Sequence, residues 1–195
     1  MWRINGGGPI LDLAIGKNAN MFAISVAGGG VSFLSPIDGS LIGTAVMMGG
    51  DVLSLAFHPD GGMLFGGDVD GFVRAWDIVD GAEIWAQPHH AAPVTAVAVT
   101  SNEFGGTYGV SGDEMGAVTG WNLPDGMMDG SLTIADGITN MAIGPNGATL
   151  FATTNMGSLI IWDTSGDAGP VEIANVAGHV GAVTDLSVDP TGGMA

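Results

Sequence analysis

Few side chains in this sequence are equipped for bond-making chemistry. Four histidines are present, and two of them, His89 and His90, are adjacent. On an extended segment, neighbouring side chains point to opposite faces, so these two rings do not turn toward one metal ion. His58 opens His58-Pro59-Asp60-Gly61, a turn sequence in which Pro presets φ and Gly accepts the positive φ that follows. Asp68-Val69-Asp70-Gly71 is a faint likeness of a calcium loop, but the further carboxylates and the closing bidentate Glu are missing. Two acids flanking a turn are ordinary hairpin chemistry. There is no Gly-x-Ser-x-Gly elbow, no Gly-x-x-x-x-Gly-Lys-Ser/Thr phosphate loop and no His-Glu-x-x-His pair. With no cysteine, disulfides, thiolate metal sites and thiol nucleophiles are excluded. The reading is a chain with no catalytic residue, no metal and no cofactor.

Charge narrows the partners. The formal net charge is −17, from 20 acidic residues and only 3 basic ones, Arg3, Lys17 and Arg74. The acidic content is ordinary; the bases are depleted. The resulting field repels nucleic acid and anionic membrane surfaces, so neither is expected as a partner. No apolar run approaches the roughly 18 residues of a membrane span, and the start lacks a basic-then-apolar signal build. A cytoplasmic location follows if Met1 is the true start. The 35 glycines are spread through hydrophobic segments, which argues for many tight turns.

A repeated apolar hexad organises the elements. It begins at Ile10, Val52, Val94 and Ile138, with a fifth copy at Val183, at successive steps of 42, 42, 44 and 45 residues. A second marker keeps the beat: Trp76-Asp77, Trp121-Asn122 and Trp162-Asp163, each Trp five residues after Gly71, Gly116 or Gly157. Leu34-Ser35 holds that place in the first repeat, five after Gly29. Turn signals follow three hexads, at His58-Pro59-Asp60-Gly61, Pro145-Asn146-Gly147 and Pro190-Thr191-Gly192. A period of about 40–45 residues, each holding several short strands, is that of a propeller blade. The expectation is all-β, with four blades of four strands plus one extra inner strand at 183–188. The repeats run roughly 8–50, 51–91, 92–136 and 137–178, with a partial one at 179–195, in a single domain spanning 1–195. Trp2-Arg3-Ile4 is a candidate outer strand. The blade count implies a fragment of a longer propeller chain or half of an oligomeric ring, with self-association through open blade edges.

Hexad, Pro-Asp-Gly turn, Gly-rich turn and Trp-Asp together resemble the WD40 repeat family over about residues 8–195. The resemblance implies a buried network of a His before the inner strand, a Ser or Thr on the second strand, an Asp in the next turn, and the Trp. The third repeat offers His90, Ser111 and Trp121, with Met115 in the Asp slot. The second offers Asp70 and Trp76, with Met48 and Gly66 in the His and Ser slots. The fourth keeps Trp162, with Ile134, Ala152 and Met156, and His179 opens the fifth. Asp77 and Asp163 complete the Trp-Asp pairs. Met48, Met115 and Met156 either fill these slots as buried apolar substitutes, the first expectation, or point outward beside the top-face loops as an adhesive methionine surface.

The resemblance also implies a non-catalytic scaffold that binds a protein or peptide, basic or apolar, on its top-face loops. These are loops 47–51, 88–93, 135–137 and 177–182, with 27–30, 68–71, 113–116 and 154–157. The face would carry Met47, Asp51, Asp68, Asp70, His89, His90, Asp113, Glu114 and Asp136, with no Lys or Arg. The second repeat, through Asp80-Gly81-Ala82-Glu83-Ile84-Trp85, also resembles quinone-cofactor dehydrogenases. That reading needs a calcium-binding carboxylate set and a secreted chain, and the sequence displays neither. A third reading is the propeller arm of a multidomain enzyme.

Overall fold

The structure, a computed structural model, describes residues 7–28, 30–44, 49–101, 106–144, 147–166 and 168–188. All described strands fall into four antiparallel four-stranded sheets, or blades, each in simple sequence order. The first blade holds β1 (Ile10–Ile15), β2 (Phe22–Val26), β3 (Gly30–Leu34) and β4 (Leu41–Thr44). In the second are β5 (Val52–Phe57), β6 (Met63–Asp68), β7 (Phe72–Asp77) and β8 (Glu83–Pro88). The third comprises β9 (Val94–Ser101), β10 (Thr107–Asp113), β11 (Ala117–Asn122) and β12 (Met127–Thr133). The fourth comprises β13 (Ile138–Ile143), β14 (Thr149–Thr154), β15 (Ser158–Asp163) and β16 (Val171–Ala177). A short 3-10 turn at Lys17–Ala19, which the hexad pattern does not announce, joins β1 to β2. The chain divides into two compact units, Met1–Val94 and Thr95–Ala195.

Each unit has its own core. In the first, Ala14, Phe33, Val52, Leu55, Leu64 and Trp76 form one buried cluster drawn from both of its blades. In the second, Ala96, Val118, Ile138, Met141, Leu150, Ile160 and Trp162 do the same. Burying a large apolar side chain contributes about 1.5–3 kcal/mol, so these clusters are what hold neighbouring blades together. Apolar side chains also stand in solvent at Ile10, Leu13 and Ile15 of β1 and at Val171, Ile173 and Val176 of β16.

Two irregularities recur. The inner strands β1, β5 and β13 shift register at the second hexad residue, between Ile10 and Asp12, Val52 and Ser54, and Ile138 and Asn140. A bulge of this kind re-aims a side chain and adds twist. The residue at the second hexad position also bonds one repeat ahead in β9 and β13. The Thr95 hydroxyl donates to the Ile138 carbonyl at 2.6 Å, and the Thr139 hydroxyl to the Val183 carbonyl at 2.6 Å. The second irregularity lies between the third and outer strands, beside the Trp position, at Phe33/Leu34, Ala75/Trp76, Thr119/Trp121 and Ile161/Trp162.

The fifth hexad departs from expectation. Residues 183–188 are not a strand, although they dock on the fourth blade. Besides the Thr139 bond, the Val183 amide donates to the Thr154 carbonyl at 3.2 Å, and the Asn140 side-chain amide donates to Asp185 at 3.3 Å. An inner strand takes its ladder from the second strand of its own blade, and no described residue supplies one. The proposed strand at Trp2-Arg3-Ile4, Gly29, and the Pro145-Asn146 and Pro190-Thr191-Gly192 turns lie outside the described residues.

Gly71, Gly116 and Gly157 each do the same job. All three have φ near +90° (+84°, +89° and +92°). A Cβ on Gly116 would sit 2.5 Å from the Ile134 carbonyl oxygen and 2.7 Å from that of Asp136. On Gly71 and Gly157 it would strike the carbonyls of His90 and His179. The same glycine carbonyls accept the amides of His90, Ile134 and His179 at 3.1, 2.9 and 3.3 Å. Each glycine thus seats the loop that leads out of its blade. Gly116→Ala combines left-handed strain with a backbone clash and is expected to lose about 3 kcal/mol in chemical denaturation. Gly166→Ala, with nothing within 4 Å of the added methyl, is expected to stay within about 0.5 kcal/mol of the parent.

Candidate functional site

The turns between second and third strands are closed from inside by the residue that ends the second strand. Asp68 Oδ1 accepts the amides of Asp70 at 3.0 Å and Phe72 at 2.9 Å. Asp113 Oδ1 accepts those of Met115 and Ala117, both at 2.9 Å. In the fourth blade the Thr154 hydroxyl accepts the Ser158 amide at 3.1 Å. Asp68 and Asp113 are almost fully buried, as is Thr154. They satisfy turn amides rather than face a partner, which corrects their placement on the exposed surface.

This closure moves the Asp slot. The residue that serves the turn lies two positions before Asp70, Met115 and Met156. Those three point outward instead, because the strand-ending oxygen already fills the turn's interior. Met115 is 68% exposed and Met156 66%. The expectation of buried packing is therefore wrong for both methionines. Met47 and Met48 lie outside the described residues. A usable signal was present: Asp68, Asp113 and Thr154 each precede their Trp by eight residues.

The remaining candidates divide by environment. In the first unit Asp70 and His89 are exposed, while Asp51 is half-buried and accepts the Gly28 amide at 2.6 Å. His90 is buried, its ring edge-on to His89 with centroids 5.8 Å apart. In the second unit Glu114 is exposed and Asp136 half-buried, and His179 lies in solvent. Asp77 and Asp163 cap the turns that follow them. Asp77 accepts the Val79 amide at 2.7 Å, and Asp163 accepts the Ser165 amide and hydroxyl at 2.9 and 2.6 Å. The Ser165 hydroxyl and amide hold the Asp163 carboxyl below its ordinary range. Among the described residues no group of three or more His, Asp or Glu side chains is placed to hold a metal ion.

Sequence reasoning missed the buried cation. Arg74 is almost fully buried, with Nε 2.9 Å from Asp68 Oδ2 and Nη1 2.7 Å from Glu83 Oε2. Its guanidinium also lies 4.6 Å from the Phe72 ring centroid. Burial disfavours its charge, but the bonds to Asp68 and Glu83 outweigh that and hold its pKa above the ordinary value. One of the chain's three bases is thereby removed from the surface.

The Trp–Ser bond of the network forms in the third blade. Trp121 Nε1 donates to the Ser111 hydroxyl at 2.8 Å, both buried. Trp76 Nε1 is buried without a partner among the described residues, because Gly66 holds the Ser position. An unpaired buried donor costs about 1–3 kcal/mol. Trp121→Phe breaks a buried hydrogen bond to Ser111, whereas Trp76→Phe removes an orphan. Both lose the same volume, so Trp121→Phe is expected to destabilise by about 1–2 kcal/mol more in parallel urea titrations.

Asp12 links the first two blades. Its Oδ2 accepts the Leu55 amide at 2.6 Å and its Oδ1 the Leu13 amide at 2.7 Å. Burial outweighs these bonds and raises its pKa above the ordinary 3.8. The sign follows. Stability from Asp12 is fully present below about pH 3.8 and is lost as pH rises through its raised folded value. Asp12→Asn should therefore gain stability relative to the parent between pH 3 and pH 6, measured as the difference in unfolding free energy across that range. A difference that is flat or falls with pH contradicts the assignment.

Blade-type sheets with a repeated Trp and a glycine-seated loop define a β-propeller repeat protein. Residues 39–77 match the family model described as WD domain, G-beta repeat. The target of rapamycin complex subunit wat1 of Schizosaccharomyces pombe is 27% identical over 114 residues, covering 57% of this chain and 35% of that protein. A chain from the crystal structure of a mitotic checkpoint complex superposes with a TM-score of 0.79 at 20% identity, over 90% of this chain and 56% of that one. This chain thus spans about a third of its curated relative and about half of its structural neighbour. The repeat period, the propeller-type blades and the match at residues 39–77 agree, and that stretch is similar to a WD40 repeat.

Proposed function

We propose that this chain is a non-catalytic WD40 scaffold that binds a basic or apolar protein segment through its top-face turns. The observation that carries the reading is the outward placement of Met115 and Met156 at equivalent turns of neighbouring blades in the second unit, beside exposed Glu114. Large apolar side chains held in solvent by locked turns are a contact surface, and methionine adapts to varied partners. In the first unit, exposed Asp70 and His89 occupy the corresponding loops. The depletion of bases favours a cationic partner on rate and specificity. The relative and the structural neighbour are named as parts of protein complexes, which supports a protein partner for this chain too.

Fluorescence anisotropy with a labelled Lys/Leu-rich peptide and its Glu/Leu-rich counterpart tests the reading. The basic peptide is expected to bind more tightly, and less so as salt rises. Met115→Gln combined with Met156→Gln, and separately Glu114→Lys, should weaken it by about fivefold or more, on the scale of one interface contact of about 1 kcal/mol. Asp125→Lys, in the turn between β11 and β12, should leave it unchanged. Equal affinity for both peptides, or equal losses from all three variants, would sink the proposal.

A further inference from the structure

One cross-strand row carries an aromatic ring in every blade except the third. The row reads Ala23, Phe33, Gly43 in the first blade and Phe65, Ala75, Trp85 in the second. It reads Phe151, Ile161, Ala174 in the fourth. In the second blade the Phe65 and Trp85 rings pack with centroids 6.0 Å apart. In the third blade Val110 lies opposite Gly120, and Gly120 faces only the backbone of Asp129 and Gly130. Where a ring is missing, a groove of about 770 Å³ opens within the second unit. Its lining includes the aromatic residues Tyr108 and Trp121 with Val110, Val118 and Leu132 of the third blade, and Leu150 of the fourth.

Three features of the groove point to one kind of occupant. The groove lies along the row in which the sibling blades place an aromatic side chain. Along one wall runs β12, the edge strand of its sheet, whose side chains are nearly all exposed. Such an edge offers backbone hydrogen bonds to an added extended segment. At the rim Asp129 is exposed, with no hydrogen bond or ion pair among the described residues, and the sequence from Thr95 to Ala195 contains no lysine or arginine. We propose that this groove docks an extended segment of a partner protein that inserts an aromatic side chain next to a lysine or arginine. The groove is walled by residues 147–148, 164–166 and 169–170, away from the turns at Met115 and Met156, so the inference does not rest on the top-face reading.

The test uses the whole chain and the tripeptide Lys-Trp-Lys, followed by methyl NMR. Shifts are expected at Val110, Val118, Leu132 and Leu150. Glu-Trp-Glu and Lys-Ala-Lys, which keep only the ring or only the charge, should bind at least about fivefold more weakly. Val110→Phe places at this strand position the ring that Phe65 and Phe151 supply in other blades, and a folded variant should no longer bind. If that variant fails to fold, Asp129→Asn decides: it should weaken Lys-Trp-Lys by about three- to fivefold and leave Glu-Trp-Glu no weaker. Silent groove methyls, equal affinity for the charge-reversed peptide, unchanged binding by folded Val110→Phe, or an Asp129→Asn variant that binds like the parent would each overturn the proposal.

Discussion

The turn that joins second to third strand imposes the constraint on which the second, third and fourth blades depend. Its amides must be satisfied inside the protein, and the incoming loop must pass close over it. An oxygen at the end of the second strand meets the first demand, supplied by Asp68, Asp113 or Thr154. A residue without a Cβ meets the second, because the positive φ and the overlying carbonyl together exclude a side chain. Satisfying both leaves no interior space for the residues between, so Asp70, Glu114, Met115, Asn155 and Met156 face solvent. The exposed surface of each turn is thus a by-product of backbone closure, and its chemistry is free to vary.

Strand placement was legible because it depends on local pattern. Three of the four hexads coincide with β1, β5 and β13 end to end, and β9 begins at the third hexad and extends to Ser101. Alternating apolar residues bounded by Pro, Asn and Gly leave little choice of conformation. The Trp positions were legible for the same reason: a large ring at a fixed interval has to be core. Outer strands were harder. β12, Met127–Thr133, has nearly all its side chains exposed, and a strand of that kind needs no apolar alternation to announce it.

The site was less legible than the fold, and the errors share a cause. Resemblance assigns slots by counting from the glycine turn, which puts Asp70, Met115 and Met156 in one column. Hydrogen bonding selects Asp68, Asp113 and Thr154 instead, two residues earlier. Arg74 was counted only as one of three bases, since nothing local announces that Asp68 and Glu83 converge on it. Those two partners lie on different strands, β6 and β8, and meet only through the sheet register. Residues 183–188 show the converse. A correct hexad does not make a strand without a second strand to pair with, yet Thr139 and Asn140 still hold the segment where an inner strand would run.

Comparing the blades with one another separates what the repeat requires from what it tolerates. The seating glycine and the Trp recur in three blades, while the polar partner of that Trp is Ser111 in one and absent as Gly66 in another. A lost donor–acceptor pair costs about 1–3 kcal/mol, a large share of a small domain's margin. Its persistence at Trp76 means that ring packing outweighs the unpaired donor there. The aromatic row behaves in the opposite way. Its ring moves from the third strand in the first blade to the second and outer strands in the second blade and the second strand in the fourth, so the space is filled whichever strand contributes. Only the third blade leaves it open, with Val110 and two glycines. That groove is open to water, and an apolar group that displaces the water there gains by burial. In a repeat whose backbone is tightly constrained, a blade that breaks the filling rule is where a partner's side chain has room to complete the core.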